Sequence, residues 1–244
     1  MIIRLDPLAD ESELRPSYGR AVKTTKYHHG DLPRALLEAT ADLITEQGLG
    51  GFSLREVARR AGVSHAAPAH HFRDTTALLT ALAVEAFQLL NERMELTRSI
   101  EDPVERLVQV GIVYVVTGRD YPAHLAIIAR RDLLDPNDPA YIEWGSRSYF
   151  FVEDRVRELA QQHNPSLDVD DATRLLCSAM QGLILLHPQL DHIAERRGKP
   201  PVDLVAQARA FMLLLVSGFL APPPADGLER GLGGQLLAAQ LPSS

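Results

Sequence analysis

Residues 53–73 read S-L-R-E-V-A-R-R-A-G-V-S-H-A-A-P-A-H-H-F-R. Ser53 followed three residues later by Glu56 predicts a capping box. The serine hydroxyl takes an orphan N–H of the first turn, and the glutamate reaches back to the cap. Leu54, Val57, Ala58 and Ala61 fall at helical spacing and give one apolar face. Gly62 stops the helix, because glycine enters the left-handed conformation cheaply, and Val63 is the apolar anchor of the turn. Ser64 caps a second short helix that runs to about Phe72. Two short helices joined through a glycine turn form a helix-turn-helix, the unit that lays its second helix in a DNA major groove.

That second helix is poor in apolar bulk: His65, Ala66, Ala67, Pro68, Ala69, His70 and His71 fill it. Small side chains let a backbone approach a groove, and histidine hydrogen-bonds bases or phosphates. Pro68 reads as a first-turn residue, where a missing N–H costs little. The competing reading is a tight helical corner inside an all-α protein.

Outward from this run, Y-H-H-G-D-L at 27–32, H-F-R-D at 71–74 and A-L-L at 77–79 complete an ordered set of motifs over about residues 27–90. Together with 53–68 the set resembles the N-terminal domain of the TetR family of transcriptional repressors. The resemblance implies a DNA-binding head and a helical body. Two positions depart from the family pattern: Ala69 stands where the family commonly has Tyr, and Thr75 where it commonly has Lys. Both family residues usually touch the DNA backbone. These departures keep a second reading in play, a helical adaptor that kept the fold and lost DNA binding.

The 244 residues carry a net charge of −7. The distribution matters more than the sum. Residues 20–75 hold eight Lys/Arg against six Asp/Glu and five of the nine His, so this segment is mildly basic and the remainder acidic. Such polarity suits one end facing phosphates and a body repelled from them. The single cysteine, Cys177, excludes a disulfide framework and points to a reducing cytoplasm. The apolar run at 211–221 is far short of the roughly 20 residues of a membrane span, so no membrane partner is expected.

Four segments follow from composition and pattern: a mobile arm at 1–25, the head at 26–98, an effector-binding and dimerisation domain at 99–222, and a flexible tail at 223–244. Asp31 caps a first helix that ends at Gly48, and Phe52 in the following loop tucks under the helix pair. Asp74 opens a helix to about Ser99, with Leu78, Leu79, Leu82, Phe87, Leu90 and Met94 inward; at 25 residues it spans roughly 37 Å and ties head to body. Helices are expected at 103–118, 124–134, 140–163, 168–187 and 203–220, with 188–202 a polar linker. No strand pattern occurs, so the fold class is all-α.

The last two helices are apolar around much of their circumference, which asks for cover from a partner subunit. In the family they commonly build a dimer's four-helix bundle. The resemblance thus implies a homodimer, here through Leu176, Met180, Leu183, Phe211, Leu215 and Phe219. The middle helices hold most of the aromatics, which fill a core or line a cavity. In the family this region binds small effectors that release DNA. Tyr114, His124, Trp144, Tyr149, Cys177 and Gln181 are the candidates for an unknown small-molecule effector.

For double-stranded operator DNA the candidates are Lys26, Ser53, Arg55, Ser64, His65, Ala66, Ala67, His70, His71 and Thr75. An enzyme is not expected. His187, Asp191 and His192 are the one cluster suggestive of acid-base or metal chemistry, and their spacing matches no metal site. Adjacent His28 and His29 point apart on a helix, and no Gly-rich phosphate loop exists. Neither metal nor cofactor is expected. The predicted function is a TetR-like repressor, released from its operator by a small molecule.

Overall fold

The computed structural model describes residues 32–50 and 53–221. Lys26, Asp31, Phe52, the arm and the tail lie outside the described residues. Eight α-helices are present among those described: α1 (Leu32–Gln47), α2 (Leu54–Arg60), α3 (Thr75–Glu95), α4 (Pro103–Asp120), α5 (Pro122–Ile128), α6 (Pro139–His163), α7 (Val169–Arg196) and α8 (Leu204–Leu220). The class is all-α, with no strand among the described residues. Carboxylates cap most of the body: Asp102, Asp138, Asp168 and Asp203 each accept a first-turn N–H.

The head is built on α1, α2 and the start of α3. Leu36, Leu43, Val57, Phe72 and Leu78 close its core, with Leu54 and Val63 packed against them. Arg60 of α2 reaches across to Glu46 of α1, with Asp42 3.5 Å away. The body's core gathers Leu107, Ile112 and Val116 of α4, Val156 and Leu159 of α6, Leu176, Met180 and Leu183 of α7, and Met212, Val216 and Phe219 of α8. Gly111 lets α4 approach α8: a Cβ there would sit 2.3 Å from the Met212 sulfur. Arg209 of α8 donates two hydrogen bonds to Glu105 of α4, each 3.0 Å.

Helix α3 joins the two parts. Leu78 lies in the head core, Leu79, Leu82 and Ala83 pack with α1 and α5, and Leu90 and Met94 lie in the body core. Its 21 residues run about 31 Å at 1.5 Å each. Arg93, 3% exposed, donates to Thr117 and Asp120 at 3.2 Å each and lies over the Tyr121 ring, fixing α3 to the α4–α5 corner.

Three expected elements differ. The segment 64–72 is not an α-helix: a turn at His65–Ala67 passes into a single 3-10 turn, Pro68–His70. The expectation misplaced Pro68. Counting Ser64 as cap, residue 68 is the first whose N–H should bond the cap carbonyl, and proline has none. The Ser64 carbonyl accepts from Ala67 N–H at 3.0 Å instead, and the tighter i+3 pattern continues with His70 to Ala67.

The expected linker 188–202 is shorter, because α7 continues through Pro188 to Arg196. Leu186, Leu190 and Ile193 keep the helical spacing, and His187 pairs with Asp191 one turn on, Nε2 to Oδ2 3.3 Å. The stop signal is Gly198 at φ +66°, where Gly198 N–H bonds Glu195 and Lys199 N–H bonds Ala194. Third, the helix expected at 124–134 begins earlier and breaks after Ile128 into a 3-10 turn at Arg131–Leu133.

Candidate nucleic-acid interface and effector cavity

The corner after α2 is held by backbone bonds of one kind. Gly62 at φ +71° donates to Arg59, and Val63 donates to Ala58, at 3.2 and 3.0 Å. These two bonds satisfy the last carbonyls of α2 and turn the chain outward. Pro68 and Phe72 are buried beneath the corner, while Ser64, His65, Ala66, Ala69, His70 and His71 are exposed and Ala67 is half-buried. The apolar members of the segment face the head core, and its histidines and small residues face outward.

Beside it, Ser53 accepts from Glu56 N–H at 3.3 Å. The capping box closes on one side only, since the Glu56 carboxylate takes the Arg59 guanidinium, Nε to Oε2 3.0 Å, rather than the cap N–H. The nearby cation holds the Glu56 carboxyl below its ordinary range. Arg59 and Arg60 are thus both committed to acidic partners. Arg55 is exposed, with no acidic partner among the described residues. Thr75 is exposed at the start of α3, whose first turn is capped by Asp74 accepting from Ala77 N–H at 2.8 Å. The structure brings Ser53, Arg55, Ser64, His65, Ala66, Ala67, His70, His71 and Thr75 to the surface of one small helical head.

The body holds a cavity of about 430 Å³ between α3, α4, α6 and α7. Of the six residues expected there, Tyr114, Tyr149, Cys177 and Gln181 line it. Trp144 does not: its ring stacks with the Arg147 guanidinium at 5.2 Å. His124 does not either. It lines a separate cleft of about 660 Å³ between α1, α3 and α5, with Nε2 3.9 Å from Glu85 and its ring edge-on to Tyr121. Trp144 was expected from the aromatic content of the middle helices and His124 from helix order, and neither fixes which way a side chain turns. The expectation also missed Phe87, Leu90 and Met94 of α3, and Gly145, Ser148 and Val152 of α6. A signal existed in the small residues Gly145 and Ser148 set among aromatics, spaced to face one side of α6.

Inside the cavity the Tyr114 hydroxyl donates to Gln181 Oε1. Burial raises the Tyr114 phenol and pushes the Cys177 thiol up to about 11. Asn91 donates to Ser148 Oγ at 2.6 Å, linking α3 to α6 at the cavity wall.

The expected dimer contacts need correction. Leu176, Met180, Leu183 and Phe219 are 1–7% exposed because they pack inside the same chain against α4, and so cannot meet a partner. Phe211 is open at 37% exposed, and Leu215 is half-buried. The outward apolar residues are others: Leu175, Leu186, Leu190 and Ile193 on α7 and Leu214 on α8. No group of three or more His, Cys, Asp or Glu among the described residues is placed to hold a metal. Nor is any described helix long and apolar enough to cross a membrane.

Residues 36–82 match the family model of bacterial regulatory proteins, tetR family. The HTH-type transcriptional regulator BetI of Pseudomonas fluorescens is 30% identical over 111 residues, 45% of this chain and 49% of that protein. The tetracycline repressor protein class A from transposon 1721, Escherichia coli, is 39% identical over 70 residues, 29% of this chain and 32% of the repressor. The chain spans half or less of the length of these relatives. Among solved structures, a protein of unknown function from Rhodococcus sp. RHA1 is 27% identical with a TM-score of 0.64, covering 81% of this chain and all of that one. FadR from Bacillus subtilis, solved in complex with stearoyl-CoA, shares the fold at 20% identity and a TM-score of 0.63, covering 76% and 98%.

Proposed function

We propose, from the premise that the chain belongs through its N-terminal domain to the tetR family of bacterial regulatory proteins, that it is a repressor binding operator DNA as a homodimer and released by a small molecule. The observation that carries this is the outward corner at 64–71. His65, Ala66, His70 and His71 are exposed on a segment whose backbone the Gly62 turn and the buried Phe72 hold fixed. Ala66 and Ala67 keep the segment slim enough for a major groove about 12 Å wide, and the histidines reach base edges or phosphates. Ser53, Arg55, Ser64 and Thr75 meet the flanking phosphates.

A two-fold pair through the open apolar faces of α7 and α8 would set two such corners one DNA turn, or a multiple of it, apart. The cavity receives the effector. Its wall includes Phe87, Leu90 and Met94 of α3, the helix that also carries Leu78 into the head. A ligand that displaces this wall moves the heads and spoils their spacing.

A mobility shift with the DNA upstream of the protein's own gene, at two salt concentrations, tests the reading. Sequence-specific binding that weakens with salt is expected. No binding at either concentration would favour the adaptor instead.

A further inference from the structure

The chemistry of the cavity walls narrows what it takes, an inference that rests on the effector reading above. Among the described residues, no Asp, Glu, Lys, Arg or His lines the cavity. A charged ligand would surrender its hydration there with no opposite charge to meet, which is expensive in an apolar enclosure. Tyr114 and Cys177 stay neutral at physiological pH, since burial moves both groups further from ionisation.

The polar side chains of the lining are Tyr114, Ser148, Tyr149, Cys177, Ser178 and Gln181. Gln181 spends its carbonyl oxygen on the Tyr114 hydroxyl. Its Nε2 is buried without a partner. An amide N–H shut from water and unpaired is costly, and a ligand atom that accepts from it recovers that cost. Ser148 Oγ accepts from Asn91 and keeps its own hydrogen and one lone pair. The hydroxyls can donate or accept, so the unpartnered Gln181 amide is the one lining group that asks specifically for an acceptor, within mostly apolar walls. A volume of about 430 Å³ falls in the range of sites that enclose drug-sized molecules.

We infer that the cavity binds an uncharged, mostly apolar carbonyl compound whose oxygen accepts from Gln181 Nε2. Carboxylates, phosphate esters and ammonium compounds are excluded by the lining, and a plain hydrocarbon leaves Gln181 unpaired. Gln181 becomes the residue that selects the oxygen, and the aromatic and aliphatic walls set the shape.

The test uses the full chain without DNA and a neutral naphthalene ketone, 6-propionyl-2-(dimethylamino)naphthalene, whose emission reddens when its carbonyl accepts a hydrogen bond. The comparison probes are the propyl analogue that lacks the carbonyl oxygen, 6-propyl-2-(dimethylamino)naphthalene, and the anionic 1-anilinonaphthalene-8-sulfonate. The ketone should occupy one site per chain, at least tenfold more tightly than either comparison probe. Gln181→Leu should weaken the ketone about tenfold and shift its bound emission to the blue, while far-UV circular dichroism is unchanged. Three results overturn the inference: equal binding of the sulfonate, an unaltered affinity and emission in Gln181→Leu, or no binding of the ketone to folded wild-type protein. Should Gln181→Leu fail to fold, the ratio of ketone to propyl-analogue affinity on wild-type protein decides alone, and a ratio near one overturns it. Because every readout is binding without DNA, these failures leave the DNA-binding reading standing, and a protein that ignores DNA leaves this result standing.

Discussion

Gly62 shows how much a single residue fixes. At φ +71° it turns the chain from α2 into the exposed corner at 64–71, with open space where a Cβ would go. Gly62→Ala therefore meets backbone strain rather than a clash, about 1–2 kcal/mol. We expect the thermal midpoint to fall by about 2–8 °C. An unchanged midpoint would mean that the turn relaxes. Cys177 gives a second residue-scale expectation. Its thiol stands at about 11, so at pH 8 its thiolate fraction is roughly one in a thousand. Iodoacetamide labelling should be at least tenfold slower than for a free cysteine, and a labelling rate matching the free amino acid would contradict the burial. At the groove, Arg55→Ala should weaken all DNA sequences alike, whereas His65→Ala should change base preference, both read by fluorescence anisotropy on operator and scrambled duplexes. Caps and stops such as Ser53, Gly62, Asp74 and Asp203 are legible in the sequence because each acts on its own turn. Glu56 was not, because two local partners compete for it and Arg59 wins.

Among the elements, α3 has the widest reach. Leu82 is fully buried where α3 meets α1 and α5, so Leu82→Ala should cost about 2–5 kcal/mol. If α3 couples head and body, helix loss by circular dichroism and the change in Trp144 fluorescence should remain coincident in thermal melts of this variant. Separate transitions would show two independently melting parts. The helical spacing from Asp74 onward made this element readable. The segment after Gly62 was misread as a helix because Ser64 offered a cap, and the position of Pro68 relative to Ser64 forbids the first bond. The opposite error occurred at Pro188, taken as an end although Leu190 and Ile193 carry the pattern on and Gly198 is the real stop.

At the scale of the whole molecule, the apolar character of α7 and α8 was legible but its phase was not. A helix apolar on adjoining faces does not say which face meets its own chain. Only packing separates buried Leu176, Met180 and Leu183 from outward Leu175, Leu186 and Leu190. Leu214, 69% exposed, is the most open of these residues. Leu214→Asp should leave the fold intact, yield a monomer by light scattering and lower operator affinity, since two heads then bind independently. Retention of the dimer mass would place the interface elsewhere. The cavity was half-read for a related reason: aromatic content announced a chamber but included Trp144, and helix order added His124, and neither signal says which way a side chain turns.

The most direct measurement is chemical cross-linking from the corner itself. Ala66→Cys places a thiol on the exposed segment, and buried Cys177 leaves that thiol as the reactive one. Tethered there, an azidophenacyl group should attach to bases in two half-sites about one helical turn, or a multiple of it, apart on the upstream DNA. No attachment from residue 66, or attachment just as strong from Asp170→Cys on the acidic body, would contradict the account.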